Sequence, residues 1–245
     1  MYYYFVAVYL VALFLITSSV FFPLAFLLRI TTFWFDRRLA ILHAFTNFWS
    51  SIYTWLSPLW KVAITGRENA YSKKTYVMVC NHQSLLDILI IFRMFLHFKW
   101  VAKASLFKFP IIGWNMWLNN HVKIERSSTK SQRKMLIQCA EHIRRGSSVM
   151  IFPEGTRSRN GELRTFKDGA FLIAMQEKTD ILPMVIDDSY KALPEKGIMP
   201  RRKQAVKLHI LPPVNYDTFK NMNVHQLSEH IRSIIADELE KMRKQ

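Results

Sequence analysis

The chain has 245 residues, with 34 Lys plus Arg against 18 Asp plus Glu, a formal charge of +16, and half of its residues hydrophobic. That apolar content excludes a disordered polyelectrolyte, and two cysteines, Cys80 and Cys139, exclude a disulfide scaffold and show no metal-type pair spacing. The positive excess asks for an anionic partner: nucleic acid, anionic lipid headgroups or a phosphorylated substrate.

From Tyr2 to Leu28 there is no charged side chain, and the first charge is Arg29. At about 1.5 Å per residue such a helix is long enough for a hydrocarbon core of roughly 30 Å. The stretch has neither the basic start nor the small-residue end of a secretory signal, so membrane association is expected rather than cleavage. Pro23 is expected to interrupt the apolar run, and Arg29, Asp36, Arg37 and Arg38 make a polar break. A second aromatic-rich stretch follows from Leu39 to Trp60. Trp and Tyr favour the headgroup level, so residues 1–60 read as a membrane-associating helical hairpin. The basic break puts the adjoining domain on the cytoplasmic side, at an inner (cytoplasmic) membrane.

Residues 61–245 read as an α/β domain. Thr75–Cys80, Ser148–Phe152, Ile181–Ile186 and Val206–Leu211 are the expected strands. Ser84–Phe98, Ser131–Arg145, Phe166–Lys178 and Val224–Met242 are the expected helices, the last ending in a solvated basic tip. Asp187 to Lys203, with Pro194, Gly197 and Pro200, reads as a loop carrying a basic cluster. Alternation of strands and helices implies a mixed sheet flanked by helices.

Three constellations carry chemistry. Asn81-His82-Gln83-Ser84-Leu85-Leu86-Asp87 directly follows a strand. A His just before a helix and an Asp in its first turn can meet because the chain turns between them. A carboxylate on one ring nitrogen fixes the tautomer and leaves the other as a base. The same Ser84-x-x-Asp87 also reads as a helix capping box, and both readings can hold together. Phe152-Pro153-Glu154-Gly155-Thr156-Arg157-Ser158 follows another strand. Gly155 allows a tight turn and Arg157 offers a planar fork for phosphate, although Pro-Glu-Gly-Thr alone reads as a surface turn. Lys103 and Arg126 stand after further element ends, where they either converge on one anion or belong to the solvated surface.

The blocks NHQSLLD, KASLFKFPIIGW, FPEGTRS and ILPMVI stand in the order and approximate spacing of the four motif blocks of the glycerolipid acyltransferases. The chain resembles the PlsC-like 1-acylglycerol-3-phosphate acyltransferases over about residues 76–214. Glu125-Arg126 stands where many relatives have Asp-Arg, and Met184 where Val is frequent. The resemblance implies direct acyl transfer from acyl-CoA or an acyl-carrier protein to the sn-2 hydroxyl of lysophosphatidic acid. His82 would be the general base and Asp87 its orienting partner. Lys103, Arg126 and Arg157 would bind the acceptor phosphate, while Glu154, Gly155 and Thr156 would position the acceptor or the loop, with amides near Gly155 as oxyanion donors. No cofactor and no metal are expected, there being no H-E-x-x-H and no Cys/His cluster. Membrane lipids are the expected partners. Nucleic acid is not, since no basic helix with interleaved reading residues occurs. The alternatives are another lysophospholipid or lyso-aminolipid as acceptor, or a non-catalytic membrane-binding module.

Overall fold

The computed structural model describes residues 1–193, 200 and 202–244. Helix α1 (Tyr2–Thr31) packs along α2 (Ala40–Trp55), as a hairpin should. Pro23 does not interrupt α1. Packing on α2 holds both flanking turns: the Phe21 ring lies 5.6 Å from Phe45 and 5.9 Å from Trp49, and Ala25 is buried with Leu39 and Leu42. Tertiary contact thereby outweighs the one backbone bond that proline removes. Asp36 starts α2 by accepting the Ala40 and Ile41 amides, each at 2.8 Å.

Among the described residues seven strands follow: β1 (Trp60–Thr65), β2 (Val77–Cys80), β3 (Phe98–Lys103), β4 (Val122–Ile124), β5 (Ser148–Ile151), β6 (Ile181–Asp187) and β7 (Gln204–Ile210). Their order is β1-β7-β6-β2-β5-β3-β4, parallel except for the antiparallel β6–β7 pair. Helices α3 (Leu86–Phe92), α5 (Thr129–Arg144), α6 (Gly169–Gln176) and α9 (Val224–Lys244) cover the sheet, α4 (Ile112–Leu118) packs against α1, and α7 (Ser189–Ala192) and α8 (Tyr216–Phe219) are single turns. The sheet is mixed and flanked by helices.

Both faces of the central strands are buried, so β2 and β5 read as continuous apolar runs. Val77 and Val79 join Phe171 of α6 and Ile231 of α9 on one face. Met78 and Cys80 join Leu86 and Ile90 of α3 on the other.

Several boundaries differ from the sequence expectation. The run 84–98 holds a helix only over Leu86–Phe92, because Phe95 turns the chain at φ 56 and Phe98 opens β3. The two edge strands β1 and β4 went unexpected. β1 is half exposed and β4 has three residues, so neither carries a continuous apolar run. Asp187 belongs to β6, and Ser189–Ala192 is helical rather than loop; Pro194 and Gly197 of the expected basic loop lie outside the described residues.

After β2 the chain leaves through α3 on one face toward β3, whereas after the adjacent β5 it leaves through α6 on the other face toward β6. The loops following β2 and β5 therefore diverge at a topological switch point, the place where open α/β sheets present a crevice beyond their strand ends.

Candidate active site

His82 and the segment 152–158 occupy these two loops. The His82 Nδ1–H donates to Asp87 Oδ2 at 2.8 Å, and the same oxygen accepts the Gln83 and Ser84 amides at 2.7 and 2.8 Å. The Ser84 contact is the returning arm of a capping box, so capping and ring orientation are served by one carboxylate. Asp87 is fully buried, while the His82 side chain keeps 12% exposure. A carboxylate acceptor at Nδ1 leaves the neutral ring with its lone pair on Nε2, directed away from Asp87.

The second loop immobilises the first. The His82 ring stacks on Phe152 with centroids 3.8 Å apart and planes 10° from parallel, and Trp100 lies behind Phe152 at 5.5 Å. The His82 amide donates to Glu154 Oε1 at 2.7 Å, the Ser158 amide donates to the His82 carbonyl at 2.7 Å, and the Arg164 amide donates to Glu154 Oε2 at 3.2 Å. Glu154 thus ties both loops together. Its burial pushes the carboxyl up to about 7 against the pull of those two amides.

Gly155 adopts φ 69, and a Cβ there would lie 3.1 Å from Lys167 Cε. Its N–H donates to the Phe152 carbonyl at 3.0 Å and is committed to the turn. The following amides, of Thr156 and Arg157, have no protein acceptor among the described residues. Arg157 is half-buried in this loop, also without a side-chain partner among the described residues.

Lys103 is the last residue of β3 and Arg126 follows β4 by two residues, both exposed. Both therefore stand on the same edge of the sheet as His82 and Arg157, on strands successively farther from β2. At about 4.8 Å per strand, β3 lies roughly 10 Å and β4 roughly 14 Å from β2. On the β3–β4 connection, Ala104, Phe107, Lys108, Trp117 and Lys123, together with Glu125, line an open cleft of about 390 Å³. The motif glycine Gly113 closes that connection, since a Cβ there would stand 2.4 Å from the Phe107 carbonyl oxygen.

Other supports were invisible to pattern reading. Asn81 exchanges two 2.8 Å bonds with the Ile186 backbone, continuing the β2–β6 ladder with a side chain. The basic tip of α9 is not merely solvated: Arg243 donates to the Gly161 carbonyl at 2.6 Å and pairs with Asp187 at 3.5 Å, bracing the loop that follows Ser158. A positional signal existed only for Asn81, which ends a strand inside a motif. Cys80 is fully buried with its thiol pushed well above the ordinary range by burial, unsuited to act as a nucleophile.

Comparison with known proteins bears on the family and the fold. The Acyltransferase family model matches residues 61–187. A 1-acyl-sn-glycerol-3-phosphate acyltransferase of Chlamydomonas reinhardtii is 38% identical over 207 residues, covering 83% of this chain and 59% of that protein. The chloroplastic Arabidopsis thaliana enzyme LPAT1 is 37% identical over 170 residues, covering 68% of this chain and 47% of that protein. The chain thus spans roughly half to three-fifths of the length of these two curated relatives. A crystal structure of the 1-acyl-sn-glycerophosphate acyltransferase PlsC from Thermotoga maritima shares the fold with a TM-score of 0.71 at 22% identity, covering 94% of this chain and 96% of that one. With a family model across more than half of its residues and relatives of this similarity, the chain belongs to the acyltransferase family.

Proposed function

We propose that the protein transfers a fatty acyl group from a thioester to the sn-2 hydroxyl of 1-acylglycerol-3-phosphate, giving phosphatidic acid for phospholipid synthesis. The observation that carries this reading is the His82–Asp87 pair, held rigid at the switch point with Nε2 directed away from its carboxylate. Nε2 takes the proton of the acceptor hydroxyl as its oxygen attacks the thioester carbonyl. Asp87 stabilises the imidazolium. The C–S bond then breaks, and the leaving sulfur takes the proton back from His82. The Thr156 and Arg157 amides are better oxyanion donors than the committed amide of Gly155. Lys103, Arg126 and Arg157 bind the acceptor phosphate, and Glu154 acts by holding the two loops together. Acyl-CoA or an acyl-carrier protein serves as donor; the cleft beside Lys108 and Lys123 suits an anionic one.

A lysophospholipid keeps its tail in the bilayer, so the enzyme must work at the membrane. Helix α1 is long and apolar enough to cross one. It is nonetheless docked on the domain near both ends: Val6 belongs to the core cluster that holds Leu59 and Trp60, and the Phe22 ring lies 5.6 Å from Trp114 of α4. This favours a helix lying along the cytoplasmic membrane face, with the α/β domain on the cytoplasmic side.

The test is thiol release from acyl-CoA by the detergent-solubilised protein, with and without lysophosphatidic acid, beside His82→Ala. Acceptor-dependent release that is lost in a folded His82→Ala protein is expected. Acceptor-independent release would identify a thioesterase, and release retained by His82→Ala would remove His82 from the mechanism. Preference for another lysolipid in the same assay would reassign the acceptor.

A further inference from the structure

The opposite end of β3 carries a second polar constellation, which acyl transfer does not use. Lys99 precedes Lys103 by four residues, roughly 13 Å at about 3.3 Å per residue, toward the other edge of the sheet. It is 1% exposed, and its ammonium donates to the Asn119 carbonyl at 2.9 Å. A narrow cleft runs from Lys99 to solvent between Arg37 and Arg38 of the α1–α2 connection, Asn120, and His142 and Arg145 at the end of α5. Burial and the surrounding positive charges push Lys99 down to about 7 and His142 to about 4.

The charge around this cleft is unbalanced. Asp36 is the carboxylate that acts on Lys99, and both of its oxygens are directed at the first amides of α2. Arg38 donates to the Gly146 carbonyl at 3.0 Å, and among the described residues no carboxylate bonds Arg37, Arg38, Lys99 or Arg145. The cations around Lys99 outnumber the one carboxylate of Asp36, an excess that costs stability and that a bound anion offsets. Guanidinium forks at the rim match phosphate geometry.

The position of the cleft selects the source of the anion. Phe33, Trp34 and Phe35 are all exposed and stand just before Arg37 and Arg38, at the turn of the apolar hairpin. Aromatic residues of this kind settle at headgroup depth, which sets the adjoining arginines at the level of lipid phosphates. The whole cleft has a volume of only about 10 Å³, the size of a single oxygen-sized group, so the ligand sits at its mouth. We propose that this cleft binds the phosphate of an anionic phospholipid headgroup, one oxygen directed toward Lys99 and the others held by Arg37, Arg38 and Arg145.

The test uses the full chain in a neutral detergent and follows its thermal midpoint against two probes. These are dihexanoylphosphatidylglycerol below its micelle concentration, and inorganic phosphate. The variants are Arg38→Gln/Arg145→Gln at the exposed rim and Lys99→Met at the base. Arg133→Gln/Lys134→Gln on the outer face of α5 controls for net charge, and Arg157→Ala controls for the acyl-transfer site. The expected result is saturable stabilisation by the lipid, weakened about tenfold or more in both cleft variants, as for lost charge-assisted hydrogen bonds, and unchanged in both controls. Equal weakening in the Arg133/Lys134 control, loss in Arg157→Ala instead, or no saturable effect on the unaltered protein overturns the proposal. Inorganic phosphate acting as strongly as the lipid, with the same variant dependence, overturns the headgroup assignment in favour of free phosphate. No readout involves turnover, so failure of the acyl-transfer reading leaves the result interpretable.

Discussion

His82 owes its readiness to three restraints that act on different atoms. Asp87 fixes the tautomer, Phe152 fixes the ring plane, and Glu154 with Ser158 fixes the backbone. On the proposed mechanism, Asp87→Asn removes the charge that would stabilise an imidazolium, while the two loop amides keep an oxygen acceptor. It should lower kcat by about 100-fold or more with little change in the KM of the acceptor, as steady-state kinetics would reveal. A parallel rise in KM would assign Asp87 to acceptor binding instead. Glu154 makes a different prediction. Burial pushes its carboxyl up from the ordinary 4.5 to about 7, so the folded state holds the extra proton across that interval. Stability is therefore fully present below the lower value and falls as pH rises through about 7. Between about pH 5 and about pH 8 the thermal midpoint should drop in the unaltered protein and drop less in Glu154→Gln. An equal drop in both would show that other groups govern this range.

At the scale of elements, legibility followed burial on both faces. β2, β5 and β6 are apolar throughout because helices cover both sides of the sheet centre, and such runs stand out in a sequence. β1 and β4 lie at the sheet edges and carry mixed patterns, and β3 was hidden behind an apolar stretch that continues from α3. The pairing of His82 with Asp87 was legible because it is local. The Phe152 stack, the Asn81 clamp and the Arg243 brace depend on register between distant segments, which spacing does not encode. Helix α9 was legible from its period, and its buried Leu227, Ile231, Ile235 and Leu239 make one stripe against β6 and α6. Ile231→Ala should cost about 2–5 kcal/mol in chemical unfolding, whereas exposed Glu229→Ala should stay within about 0.5 kcal/mol. Similar effects at the two positions would mean that α9 contributes no core.

For the molecule as a whole, the question is whether charge or apolar surface holds it to the bilayer. The charge of +16 predicts attraction to anionic vesicles, but that attraction is screened within about 10 Å at 0.1 M salt. The outward face of α1 is different in kind: Leu15, Ile16, Phe26 and Leu27 are all more than half exposed, on a helix whose inner side is already used against α2. A patch of this size on one helix marks an interaction surface. Burying each aliphatic side chain in lipid contributes about 1.5–3 kcal/mol, independent of salt. Two such residues replaced by charge, Ile16→Glu/Leu27→Glu, should lower partitioning into neutral phosphatidylcholine vesicles by about 100-fold in flotation. Raising the salt should leave the unaltered protein bound to those vesicles, while reducing only the additional binding that anionic lipid provides. If high salt instead releases the unaltered protein completely, the apolar face of α1 is not its anchor. The acceptor would then have to leave the bilayer to reach His82, rather than meeting it at headgroup depth.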